Sequence, residues 1–151
     1  MRRKIVPNTA LFEDVVKIIN DDKSVVILTK GNSMLPFIVG GRDSVELHKI
    51  ESDAPLKPGD IVLARIESPI RYFIHRVIDI NDDSVLLKGD GNIVGVERCH
   101  IDGIIARVKV IIKPKKRVNP NTKSQQRYAK IWNNYLPLKR YILAILRRVV
   151  Y

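Results

Sequence analysis

The last quarter of this chain has no acidic residue. Residues 113–151 hold eleven of the 27 Lys and Arg and none of the 16 Asp and Glu. Residues 1–112 therefore balance to zero, and the net charge of +11 belongs to the tail. A basic balance of this origin says nothing of the body's substrate; it points the tail at something anionic. Cysteine is almost lacking: Cys99 alone leaves no intramolecular disulfide and no thiolate cluster, so no metal or other cofactor is expected. No run approaches the roughly 18 apolar residues of a membrane span. Arg2, Arg3 and Lys4 precede an apolar patch too short for a secretory leader. The expected location is the cytoplasm, with the inner face of the membrane within reach of the tail. Eight Gly and eight Pro are too few for disorder, and 45% hydrophobic residues in a chain of 151 suit one globular domain with an appendage.

The apolar spacing of Leu11, Phe12, Val15, Val16, Ile18 and Ile19 predicts a helix over Thr9–Asn20, with Thr9 as its N-cap. From Ser24 to Lys113 the pattern is that of strands: Val25–Thr29, Ser44–Ile50, Ile61–Ile66, Arg71–Ile80, Val85–Lys88 and Ile104–Ile112. Turn signals separate them, and the first reads as a buried strand. No βαβ unit occurs, so the fold class is mainly β, an antiparallel, closed or nearly closed barrel-like sheet. Lys115–Thr122 reads as a linker. Beyond it Tyr128, Ile131, Trp132, Tyr135, Leu138, Tyr141, Ile142, Ile145, Leu146 and Val149 recur every three or four residues, with a break at Pro137. The expected organisation is 1–23 helical, 24–113 the β domain, 114–123 linker and 124–151 a basic amphipathic tail. Two fates fit the tail: packing on the body, or contact with an anionic membrane or a partner protein through Trp132, Lys139, Arg140, Arg147 and Arg148. Nucleic acid fits less well, since about twenty N-terminal residues are too few for a helix-turn-helix domain.

The chemistry centres on Gly31-Asn32-Ser33-Met34-Leu35-Pro36-Phe37. Pro36 lacks an N–H and cannot continue a sheet ladder, so a strand ends here and leaves Ser33 at an edge. A serine hydroxyl attacks only when a base takes its proton. His75 lies mid-strand between apolar neighbours, where a polar ring needs a purpose. His48 and His100 lack such a setting.

In order, Ser33-Met34-Leu35-Pro36, Gly40-Gly41-Arg42-Asp43-Ser44-Val45, Pro58-Gly59-Asp60-Ile61-Val62, His75-Arg76-Val77-Ile78 and Lys88-Gly89-Asp90-Gly91-Asn92 resemble the catalytic domain of type I signal peptidases and their LexA-like relatives. The likeness covers about Asn32 to Asn92, with a weaker echo at Ile101–Arg107. It implies an antiparallel barrel-like fold and a serine endopeptidase that removes a leader or pro-segment from a polypeptide, often after a small residue. By that resemblance Ser33 is the nucleophile. His75 stands where many members carry a lysine base, as in the archaeal and endoplasmic-reticulum type. Asp90 is the residue that orients His75, and the Ser33 backbone N–H binds the oxyanion with support from Asn32, Met34 and Pro36.

The chain departs from the pattern in two places. The histidine-type enzymes carry an acid a few residues beyond the Gly-Asp-x-Asn turn, where this chain has Ile93, Val94, Gly95 and Val96 before Glu97. Glu97 is therefore the alternative third member, with Asp102 behind it. The N-terminal anchor of signal peptidases and the DNA-binding domain of the repressors are also missing, so a free-standing module is expected. Two other functions share the scaffold: a catalytically silent peptide- or membrane-binding module, and a self-cleaving regulator of the LexA type.

Overall fold

The computed structural model describes residues 8–67, 69–93 and 95–150, with backbone alone for 8, 9, 136–138 and 150. The side chains of Thr9 and Leu138, and residue Ser68, lie outside what is described. The first helix, α1 (Asn8–Asn20), starts one residue before Thr9. Among the described residues eight strands follow: β1 (Val25–Leu28), β2 (Ser44–His48), β3 (Ile61–Ile66), β4 (Arg71–Asn81), β5 (Ser84–Lys88), β6 (Glu97–His100), β7 (Ile104–Ile112) and β8 (Arg117–Val118). The tail forms α2 (Lys123–Asn134) and α3 (Leu136–Val150).

The sheet is antiparallel throughout, in the order β1-β2-β7-β3-β4-β5-β6, with β8 on β7. It is a half-barrel: the order runs from an edge at β1 to an edge at β6 and does not close. Register shifts at Glu46/Leu47, Leu63/Ala64 and Val77/Asp79 are the irregularities that bend strands and increase their twist. On one face Val45, Leu47, Ile61, Leu63, Val108 and Ile111 pack under Val15 and Ile19 of α1. On the other, Val62, Ala64, Val77, Val85, Leu87 and Cys99 form a second cluster. Period-2 alternation on β3 sends Ile61 and Leu63 to the first face and Val62 and Ala64 to the second, so that strand is buried on both sides.

Four sequence expectations change. The Val25–Leu28 strand is half-buried rather than buried: Ile27 enters the core, but the strand is an edge, with Val26 and Leu28 53% and 47% exposed. Glu97–His100 is a strand that hydrophobic patterning could not reveal, because Cys99 alone of its four residues is buried. The linker holds β8, which pairs Val118 with Ile111. The helical break falls at Tyr135, with Pro137 in the first turn of α3, a position that does not need its N–H. The tail packs on the body: Leu143 is buried against Leu35 and Val39 of the Ser33 loop, with Ile93 and Trp132 beside it.

Leu63, fully buried in the central strand β3, tests this packing. Leu63→Ala is expected to cost about 2–5 kcal/mol in urea unfolding; a loss below about 1 kcal/mol would contradict the two-faced core.

Candidate functional site

Three buried aspartates, each from one of the sequence blocks, hold the loops around Ser33 and His75. Asp43 accepts from Val39 N–H at 2.9 Å, from Arg42 Nε at 2.8 Å and from Lys113 Nζ at 2.9 Å. Lys113 also reaches Phe37 O at 2.8 Å, which ties the far end of the Ser33 loop to the end of β7. Burial pushes the Asp43 carboxyl up, but its bonds to Arg42, Val39 N–H and Lys113 outweigh that and hold it below its ordinary value. Asp60 accepts from Lys57 N–H at 2.9 Å and from Arg107 at 3.0 Å. Its neighbour Gly59 exchanges with β4: Gly59 N–H donates to Val77 O, and Val77 N–H to Asp60 O, both at 2.8 Å. The Pro-Gly-Asp block thus pins the strand just past His75-Arg76.

Asp90 is the third, and here the expected role is corrected. Its oxygens accept from Arg76 Nε and Nη2, both at 2.8 Å, and from Asn133 Nδ2 at 3.1 Å. No hydrogen bond joins Asp90 to His75; it acts on that ring only through its charge. The reason is the pleat. Adjacent residues of β4 point to opposite faces: Arg76 lies 5.4 Å from the Phe37 ring centre on one side, and His75 packs on Phe73 at 4.7 Å on the other.

His75 is buried, and its Nδ1 has no hydrogen-bond partner. Burial holds the imidazole below its ordinary 6.5; Glu97 is the largest charge pulling it back up, ahead of Asp90, and Arg71 opposes both. Glu97 itself meets Arg71 at 3.4 Å. Asp102 faces His100 on the exposed side of the molecule, so it drops out as a third member. Among the described residues no carboxylate is hydrogen-bonded to His75, and no hydrogen bond joins its ring to Ser33. His48 ion-pairs with Glu46 at 2.6 Å, and His100 caps the short turn at Ile101–Gly103, so both take structural roles.

The Ser33 loop and the Gly89–Asn92 turn are in contact. Gly91 N–H donates to Ser33 O at 2.7 Å, and a Cβ on Gly89 would fall 2.3 Å from that same oxygen. The β4–β5 ladder ends at the Arg76↔Lys88 pair, next to His75 on β4 and to Gly89 beyond β5. Gly89, set against the Ser33 carbonyl, admits no side chain. Met34 is buried, and its Sδ accepts from Asp90 N–H at 3.4 Å. Asn32 O accepts from Leu35 N–H at 3.3 Å, and a Cβ on Gly91 would meet that oxygen at 2.4 Å. Pro36 follows Leu35 through a cis peptide bond within the turn.

A largely apolar cavity of about 190 Å³ adjoins Ser33. Ile27, Leu28 and Thr29 line one side and Tyr72, Phe73 and Ile74 another. Phe73 thus touches both this cavity and the His75 ring. Among the described residues, no strand pairs with the outer edge of β1, or with the Arg71–His75 half of β4 on the side away from β3.

Residues of the tail that the sequence reading did not place at the site support it from behind. Trp132 Nε1 donates to Asp90 O at 2.7 Å, Gln126 Nε2 to Gly59 O at 3.0 Å, and Arg147 to Gly91 O at 3.3 Å. Lys139 is buried, donates to Asn133 Oδ1 at 3.0 Å, and lies 5.9 Å from the Trp132 ring centre. Burial, and then the charge of Lys88, push its ammonium down to about 8 against the pull of Asp90. Trp132, Lys139 and Arg147, read from sequence as membrane or partner contacts, thus face the body instead. Trp132 in a basic helix was the available signal, since a buried indole N–H demands an acceptor. Among the described residues no group of three or more His, Cys, Asp or Glu could hold a metal ion.

No protein-family model matches the chain, and no curated protein matches it.

Removing the partner of a buried charge is costly, commonly about 3–5 kcal/mol. Asp90→Ala is expected to lose stability on that scale in urea unfolding. A near-neutral result would show that Arg76 does not depend on Asp90.

Proposed function

We propose that the chain is a serine endopeptidase of signal-peptidase type, with Ser33 as nucleophile and His75 as general base. The observation that carries this reading is the packing of the Ser33 loop on the side-chain-free Gly89, just past the end of the strand pair that holds His75, beside a cavity that opens between two unpaired strand edges. An extended polypeptide adds to such edges by main-chain hydrogen bonds, and its side chains enter adjoining pockets. The largely apolar cavity of about 190 Å³ has room for an apolar side chain next to the scissile bond. Ser33 Oγ attacks the peptide carbonyl and passes its proton to the His75 imidazole. The Ser33 N–H stabilises the oxyanion. His75 then returns the proton to the leaving amine, and a water repeats the sequence to release the acyl group. No cofactor enters these steps.

Burial keeps His75 neutral at pH 7, the form a base requires. Glu97 is the carboxylate placed to stabilise the imidazolium by charge, without a hydrogen bond to fix the tautomer. One observation favours a second reading, a peptide-binding module without turnover. A buried Nδ1 with no partner leaves the ring without the orienting group that serine–histidine enzymes use.

Cleavage of a proteome-derived peptide library, read by mass spectrometry, separates the two. The peptidase reading expects cuts after small residues, and a loss of about 10²-fold or more in both Ser33→Ala and His75→Ala. Peptide capture without cleavage by the parent protein would favour the silent module.

The pH profile is a separate check. A base whose pKa lies below 6.5 is deprotonated at lower pH than usual, so kcat/KM is expected to rise with a midpoint below 6.5 and stay flat above pH 7. A profile still climbing above pH 9 would take His75 out of the base role.

A further inference from the structure

The tail's apolar stripe does not all go into the body. Leu143, Ala129 and Trp132 turn inward. Tyr128 and Ile131 on α2, Tyr135 at its C-terminal end, and Tyr141, Ile145 and Val149 on α3, remain between 48% and 77% exposed. Their spacings of three and four residues give each helix an apolar face that its own domain leaves uncovered. Arg127, Lys130, Arg140 and Arg148, all exposed, stand among them. No acidic residue occurs anywhere in 113–151, while the rest of the chain is neutral.

We infer that α2 and α3 form a docking surface for an anionic lipid bilayer. Three features select a lipid surface over an acidic protein. The exposed apolar residues of the face are spread over two helices. Three of its six apolar residues are tyrosines, whose rings place a body in the acyl boundary and a hydroxyl among headgroups. The charges are exposed Lys and Arg side chains, whose long stems can lie along apolar surface with the head in water, and their sign is uniform. Among the described residues no helix is long and apolar enough to cross a membrane, so the contact is interfacial.

The surface is joined to the candidate site. An apolar hollow of about 240 Å³ between Phe37, Tyr128, Ile131, Trp132, Tyr135 and Lys139 continues it to the loop that carries Ser33. Leu143 and Trp132 fix the tail to that loop and to the Asp90 turn. A bilayer that holds the tail therefore holds the Ser33 loop close to its surface.

Lipid binding is separable from peptide cleavage, because it is read with Ser33→Ala protein. The full chain is sedimented with vesicles of phosphatidylcholine alone, and of phosphatidylcholine with 30% phosphatidylglycerol. Binding is expected with the anionic vesicles and at least about tenfold weaker with the neutral ones. Tyr128→Ser/Tyr135→Ser/Tyr141→Ser changes only exposed side chains, so its urea midpoint should match the parent, and its partitioning should fall by about tenfold or more. Lys130→Glu/Arg140→Glu/Arg148→Glu should do the same. Equal binding to both vesicle types overturns the inference. So does binding that salt reverses and the tyrosine variant leaves unchanged, since that is general attraction to anions. A lipid-free dimer that the tyrosine variant dissociates assigns the face to a second copy and overturns it too.

Discussion

The buried Arg76–Asp90 ion pair is the constraint on which the arrangement around Ser33 depends. Both groups are almost wholly buried, so each is tolerable only because the other is present. The guanidinium satisfies both carboxylate oxygens, and its remaining nitrogen reaches Gly59 O at 2.9 Å. One side chain of β4 thereby fixes two separate loops, the Pro-Gly-Asp turn and the Gly89–Asn92 turn. The second of these carries the Ser33 loop through the Gly91 N–H. His75, next in the chain to Arg76, takes its position from the same stretch of strand. The ion pair thus helps to position both the loop of the candidate nucleophile and the strand of the candidate base, though neither member is a reacting group.

The tail belongs to this construction as much as the strands do. Asn133 supplies a further donor to Asp90, Trp132 caps the turn's carbonyl, and Gln126 shares Gly59 O with Arg76. Burying the Lys139 ammonium is unfavourable by itself, which accounts for its depressed pKa. Its bond to Asn133 ties it to the group that holds Asp90. A helix pair that packs one face on the reactive turn and leaves a basic, tyrosine-lined face outward couples the site to whatever the outer face meets.

How much of this could be read from the chain follows from the range of each interaction. Alternation in Ile61–Ile66 and the β-branched run of Ile104–Ile112 are local signals, and both strands were legible. The five blocks marked the loops that converge. Burial of the Val25–Leu28 strand was misread because an apolar run looks alike at a sheet edge and in its centre; only the pairing distinguishes them. Glu97–His100 gave no signal because an edge strand with one inward residue has no period. The Asp90 assignment failed for a different reason. Sequence shows that an aspartate lies near the site, but not which cation claims it. Arg76 and His75 are neighbours in the chain and point to opposite faces, so the choice between them is made by the pleat. Docking of Trp132 and Lys139 on the body was hidden likewise, since a helical stripe does not say which of its sides is covered.

The most direct test of the central claim is covalent. Full-length protein would be treated with a fluorophosphonate that modifies activated serines, and the adduct mapped by mass spectrometry. A single adduct on Ser33, formed far more slowly in His75→Ala protein of unchanged fold, is the result this account predicts. Absence of an adduct on Ser33, or labelling that does not depend on His75, would contradict it.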